Sequence, residues 1–202
     1  MARKYQELFG SEASRQAQAR YYGRSAAKPE GNPDDPLGPD EIAFIQERDS
    51  FYMASVAESG WPYIQHRGGP PGFLKVTGAR QLAFLDLGGN RQLLTTGNLS
   101  LDGRVSLFLM NYPAQERLKI AARATILDVQ EHSDQAAALV MPGMTGMGER
   151  IFVLDVVSFD WNCPQHITPR YTIPEVDKAI LPLRDRIAEL EAEVAALKKR
   201  HG

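Results

Sequence analysis

From Ser50 to Phe159 apolar residues come in short bursts parted by turn-forming residues, whereas on both flanks they recur at helical spacing. The bursts run Phe51 to Val56, Pro62 to His66, Phe73 to Val76, Leu82 to Leu87, Gln92 to Thr96, Arg104 to Met110, Leu118 to Val129 and Arg150 to Phe159. Segments of this length, bounded by Gly, Pro, Asn and Asp about every ten residues, predict antiparallel strands in a barrel or sandwich and disfavour a βαβ sheet. Glu58-Ser59-Gly60 and Thr77-Gly78-Ala79 read as hairpin turns. Ser133 to Val140 reads as a short helix, followed by the Gly- and Met-rich stretch Met141 to Gly148.

On the N-terminal flank, Ser11 can cap a mostly polar helix to Gly23 that carries Ala13, Ala17, Ala19 and Tyr22. Residues 28–39 hold four prolines and read as a linker, and Pro39 then opens a helix with Ile42, Phe44, Ile45 and Arg48. In the tail, Leu183, Ile187, Leu190, Val194 and Leu197 alternate spacings of four and three, the seam of an amphipathic or coiled-coil helix. Barely two heptads is marginal for an isolated helix, so the seam is expected to lie on the body or on a partner subunit.

The 202 residues allow one domain with terminal additions. Lys plus Arg number 23 against 25 for Asp plus Glu, so no basic field favours nucleic acid or a membrane surface, and any anion site must be local. The single Cys163 excludes an intrachain disulfide framework, and Met1 to Gly10 lacks the apolar core of a signal peptide. The chain reads as cytoplasmic, with no apolar run of spanning length.

The chemistry concentrates between His66 and Gln92. Arg67 ends one strand signal and Lys75 lies in the next, so the Gly/Pro-rich reversal between them is expected to bring both cations to one side. A planar guanidinium fork with an ammonium point charge suits a phosphate monoester; the alternative is a set of solvated strand-end cations. Cys163 and His166 have the spacing of half a metal site, but no second pair accompanies them and structural zinc needs four ligands, so no metal is predicted. Cys163 reads as a small buried hydrophobe and not as a nucleophile.

Arg67 followed by Phe73-Leu74-Lys75, the strand Leu82 to Asp86, the turn Gly89-Asn90-Arg91-Gln92, the strand Val105 to Met110 and Glu116-Arg117-Leu118-Lys119 resemble the pyridoxamine 5′-phosphate oxidase-like flavoproteins over about residues 39–172. The resemblance implies a mainly β fold, a six-stranded antiparallel split barrel with flanking helices, that dimerises and holds FMN between subunits. It divides the chain into an N-terminal helix and linker (1–38), the FMN-binding barrel (39–172) and a C-terminal amphipathic helix (173–202).

By position, Arg67 and Lys75 resemble the family's phosphate-binding Arg and Lys, and Asn90, Arg91 and Gln92 stand where it has Ser-Arg-Lys. Gln92 thus costs the site one cation. Leu85 and Asp86 match positions under the isoalloxazine ring, although Asp86 can equally pair with a nearby cation. Arg117 replaces a Gln and would face the pyrimidine end of the flavin, or else pair with Glu116 or Asp128. Trp161, Gln165 and His166, with Asn162 and Cys163 between them, follow the last strand where the family brings a Trp and polar residues to the partner's flavin; His166 is the candidate for proton transfer. The Tyr, Arg and Ser that hold substrate phosphate in the true oxidases have no ordered counterpart in Ser133 to Pro142. The implied function is an FMN-dependent oxidoreductase for a small molecule other than pyridoxamine phosphate, the alternative being a non-catalytic FMN or haem binder for storage or sensing.

Overall fold

The alternating pattern folds into seven antiparallel strands: β1 (Ser50–Val56), β2 (Pro62–Gly68), β3 (Lys75–Gly78), β4 (Gln81–Leu87), β5 (Arg104–Asn111), β6 (Glu116–Asp128) and β7 (Gly148–Trp161). The computed structural model describes residues 3–24, 36–89, 91–144, 148–161 and 164–201. Most of the proline-rich linker, Asn90, residues 145–147, Asn162 and Cys163 therefore lie outside the described residues, as does the side chain of His201. Among the described residues there are also six helices: α1 (Arg3–Phe9), α2 (Glu12–Tyr22), α3 (Pro39–Gln46), α4 (Leu94–Leu101), α5 (Ser133–Leu139) and α6 (Ile173–His201). No described helix is long and apolar enough to cross a membrane.

The strand order is β2-β1-β5-β6-β7-β4-β3, one strand more than the six expected, and no backbone ladder joins its two ends. Side chains close the curl instead. Phe51 on β1 meets Phe84 on β4 edge to face with ring centroids 5.5 Å apart, and Phe84 stacks on Phe152 of β7 at 4.9 Å. Period-two alternation sends Phe51, Met53, Leu82, Phe84, Leu107, Leu109 and Leu154 into one buried core. A smaller cluster on the outer face joins Ala83, Leu85, Leu139 and Ile151 beneath α5.

The segment Gln92 to Thr96 is not a strand. Its first residues turn through left-handed backbone at Arg91 (φ 59°) and Leu93 (φ 54°), and α4 starts at Leu94. Two part-buried polar bonds account for the change: Thr95 Oγ1 donates to Gln65 Oε1 at 2.9 Å, and Asn98 Nδ2 donates to Ser55 Oγ at 2.9 Å. Side-chain bonds between Thr or Asn and a neighbouring strand outweigh the β propensity of Leu-Leu-Thr-Thr. The third strand also begins later than expected, because Gly72 turns at φ 81° and Phe73 closes that turn on the Pro70 carbonyl before pairing starts at Lys75.

The helix from Ser11 forms as predicted, with Ser11 and Ser14 bonding reciprocally across its first turn. The helix α1 was not anticipated from its polar sequence; it lays the Tyr5 ring 4.6 Å from Lys119 Nζ on β6. In α3, Glu41 accepts from the Gly38 N–H at 2.9 Å, satisfying one orphan donor of the first turn.

Phe84 joins both halves of the curl, so its truncation should be costly. Phe84→Ala is expected to remove about 3–5 kcal/mol of stability in urea unfolding, whereas a loss below ~1 kcal/mol would mean that the halves are held together elsewhere.

Candidate functional site

Arg67 pairs with Phe51 across the β1–β2 ladder, and the shared face of that pair directs its guanidinium inward. There its Nη1 meets Asp86 Oδ1 at 2.5 Å, and its Cζ lies 5.1 Å from the Phe152 ring centroid. Register places Arg150 of β7 opposite Asp86, and Arg150 Nε donates to the second carboxylate oxygen at 3.0 Å. Asp86 therefore bridges two guanidinium groups, with Asp86 8% and Arg67 13% exposed at the side chain. Arg150 also donates to Glu149 Oε2 at 2.8 Å. Burial lowers the pKa of Arg67 and Asp86 only partly offsets this, whereas for Arg150 the bonds and charges of Asp86 and Glu149 outweigh burial and raise it.

This triad floors a pocket whose walls include Tyr63, Gln65, Gly89, Arg91, Gln92 and the first turn of α4 from Leu94 to Thr96. Three arginines (67, 91 and 150) face two carboxylates (86 and 149), an excess of one positive charge. Two donors point to an anion. Arg67 Nε is buried without a hydrogen-bond partner, and the N-cap of α4, Leu93, has no side chain that caps the first turn. Uncapped N–H groups at the positive end of a helix dipole favour a bound oxyanion.

Of the candidates, Arg67, Asp86, Arg91 and Gln92 line this one pocket, while Asn90 lies outside the described residues. Lys75 does not join them. It pairs with Ala83 and shares the outer face of Leu85, opposite to the inward face of Phe84 and Asp86. The expectation that Arg67 and Lys75 reach one side fails because the β3–β4 register sets Lys75 opposite Ala83, on the outer face. Leu85 likewise packs in the outer cluster, not along the pocket.

The remaining candidates are dispersed. Arg117 sits opposite Met110 at the end of the β5–β6 ladder, its Nε buried and without a hydrogen-bond partner. Trp161 donates from Nε1 to Glu41 Oε1 at 2.6 Å and meets Phe44 edge on at 4.8 Å, so it is tied to α3 of its own chain. Gln165 and His166 occupy an exposed turn with His166 at φ 66°, and Ile167 behind them is buried and held by Gln115 Nε2 at 2.5 Å.

Sequence reasoning missed Arg150, Glu149, Gln65 and Thr95. The only sequence signal for Arg150 was a charge at the mouth of an apolar strand; Asp86 is far away in sequence, and only strand register pairs them. Outside the pocket, Lys119 Nζ pairs with the fully buried Asp160 at 2.9 Å under Tyr5. Burial first, and the charge of Asp160 second, raise the Tyr5 pKa.

A sequence profile of the family described as pyridoxamine 5′-phosphate oxidase matches residues 39–154. Among solved structures the chain is similar to HupZ of Group A Streptococcus (12% identity, 67% of this chain and 100% of that one, TM-score 0.48). It is also similar to a candidate pyridoxamine 5′-phosphate oxidase from Lactobacillus delbrueckii (14% identity, 63% and 95%, TM-score 0.49). A third, an FMN-binding protein from Syntrophomonas wolfei, shows 10% identity over 60% of this chain and 86% of that one, with TM-score 0.46. No curated protein matches.

Replacing Asp86 by Asn leaves two part-buried guanidinium groups without their counter-charge. Asp86→Asn should lose about 3 kcal/mol in urea unfolding at neutral pH; an unchanged midpoint would show that solvent already screens the triad. At Tyr5 the folded state holds the phenolic proton to higher pH than the unfolded chain, so it binds more protons above pH ~10 and stability falls as pH rises there. Tyr5→Phe should remove that alkaline component, read as the difference between the two proteins' stability–pH curves; superimposable curves would refute it.

Proposed function

Because the chain belongs to the pyridoxamine 5′-phosphate oxidase family, we propose that it is an FMN-binding flavoprotein whose β2–β4 pocket takes the flavin phosphate. The observation that carries this is the local excess of guanidinium charge beside a buried unpaired Arg67 Nε and the uncapped first turn of α4. The donor set fits the group: a phosphate monoester of roughly −1.5 to −2 charge needs several directed donors, and Arg67, Arg91, Gln92 and the α4 N–H groups supply them. Asn90, in the same turn, is proposed to contribute. Asp86 holds Arg67 and Arg150 in place and prevents the empty pocket from carrying three uncompensated cations.

The role first implied for Lys75 and Leu85 is dropped from the phosphate site, since both face outward. Arg117, with a buried unpaired Nε, is proposed to face the pyrimidine end of the flavin, where its charge would favour the reduced, anionic ring. Trp161 and Gln165 are proposed as part of the ring's surroundings. His166, exposed next to them, is the proposed proton donor. FMN, when bound, supplies the electron transfer, and the protein's residues supply binding, orientation and electrostatics.

We read the activity as FMN-dependent oxidoreduction of a small molecule other than pyridoxamine phosphate, because Ser133 to Pro142 offers no ordered Tyr, Arg and Ser for a second phosphate. A homodimer is supported by exposed apolar side chains on or beside β1 and β2, among them Trp61 (73% exposed) and Ile64 (64%).

The test is a titration of FMN and riboflavin followed by flavin fluorescence. Arg91→Ala, at an exposed position that leaves the buried triad intact, should weaken FMN by ten- to a hundredfold, about 1.5–3 kcal/mol, and leave riboflavin unaffected. Lys75→Ala should leave both unchanged. Wild-type FMN affinity in an Arg67→Ala, Arg91→Ala double variant would sink the phosphate assignment.

A further inference from the structure

We propose that α6 pairs with α6 of a second copy of this chain as a parallel, in-register, two-stranded coiled coil. This extends the homodimer reading by naming an element that joins the subunits, and it is independent of FMN. Every residue from 181 to 200 is exposed, so the apolar seam of the helix is not covered by its own barrel. Leu183, Ile187, Leu190, Val194 and Leu197 are 65%, 55%, 42%, 48% and 51% exposed. The shallow apolar groove along Ile187, Leu190, Val194 and Ala195 is built by this one helix alone.

The seam itself specifies its occupant. Written as heptads, the a positions are Ile173, Ile180, Ile187 and Val194, and the d positions are Val176, Leu183, Leu190 and Leu197. Branched residues at a with Leu at d are the combination that favours two parallel strands. The flanking charges agree. In a parallel pair each g position faces the next e position of the partner, which sets Arg186 against Glu191 and Glu193 against Lys198, and two-fold symmetry repeats both contacts. Within a single helix Arg186 turns instead to Glu189 at 2.8 Å, and Arg184 to Asp177 at 3.1 Å; for Arg186 the paired state exchanges the local bond for one across the interface.

Pro182 falls at an outward c position, where its ring is clear of the seam but its missing N–H interrupts the helix ladder. The tight coil is therefore expected from Leu183 onward. So short a coil is marginal as a free peptide, and attachment to two associated barrels would raise its effective concentration.

The experiment uses the full chain in a Cys163→Ser background with Val194→Cys, equilibrated in a glutathione redox buffer. Most chains are expected as disulfide-linked dimers, because a parallel in-register pair brings position 194 next to itself. Mixing Val194→Cys with Leu183→Cys should give no mixed disulfide. Arg186→Glu should slow cross-linking at least fivefold, and adding Glu191→Arg should restore it. In an antiparallel pair centred between Ile187 and Leu190, position 191 would instead approach Arg184, and the second change would not rescue the first. Absence of the 194 disulfide, a predominance of mixed disulfides, or failure of the double variant to recover would each overturn the proposal. Dimeric barrels without cross-linked tails would retain the homodimer while discarding the coil, and cross-linked chains that take up no FMN would do the reverse.

Discussion

The structure depends on how an open seven-stranded sheet is closed without a ladder. Its ends, β2 and β3, are never hydrogen-bonded to each other, and the closure falls to the aromatic contact of Phe51 with Phe84 and the ion pair of Arg67 with Asp86. These differ in kind. The ring contact is apolar and tolerant of small shifts, whereas the buried ion pair is worth having only when geometry and partners are complete. Arg150 completes it by occupying the second carboxylate oxygen, so three strands are fixed at one point.

The same closure decides where a ligand can be held. A seam closed by side chains leaves room beside them, and the pocket opens between β2 and β4, walled by the turn into α4. Left-handed backbone at Arg91 and Leu93 is the local cost of turning the chain into that helix, for neither residue is glycine. Thr95 and Asn98, bonded to Gln65 and Ser55, hold the turn in place. Pocket and closure thus share residues, and Arg67 serves in both.

Much of the barrel was legible because turn-forming residues bound its apolar segments: β1, β4, β5, β6 and β7 lie within a few residues of their sequence patterns. What escaped was settled by contacts between distant residues. Leu-Leu-Thr-Thr carries a strand's propensity, yet its threonine hydroxyl finds Gln65 on a strand thirty residues earlier. Lys75 has the right charge, but its pairing with Ala83 sets which face it takes, and one-residue parity is all that separates core from exterior. Arg67, Arg91 and Gln92 were accessible through local motif; Arg150 and Glu149 were not, since only the β4–β7 register brings them to Asp86. The helix α1 gave no apolar stripe to read, although its Tyr5 ring lies over Lys119 of the body.

Among the described residues β2 has a ladder partner on one side alone, and its other edge displays unpaired amides and carbonyls to any extended chain that approaches. Such edges template intermolecular strand addition, the first step toward domain exchange and fibrillar aggregates. That edge is the seam itself, left open because the Arg67–Asp86 pair and the Phe51–Phe84 contact close the curl where a ladder would have covered it.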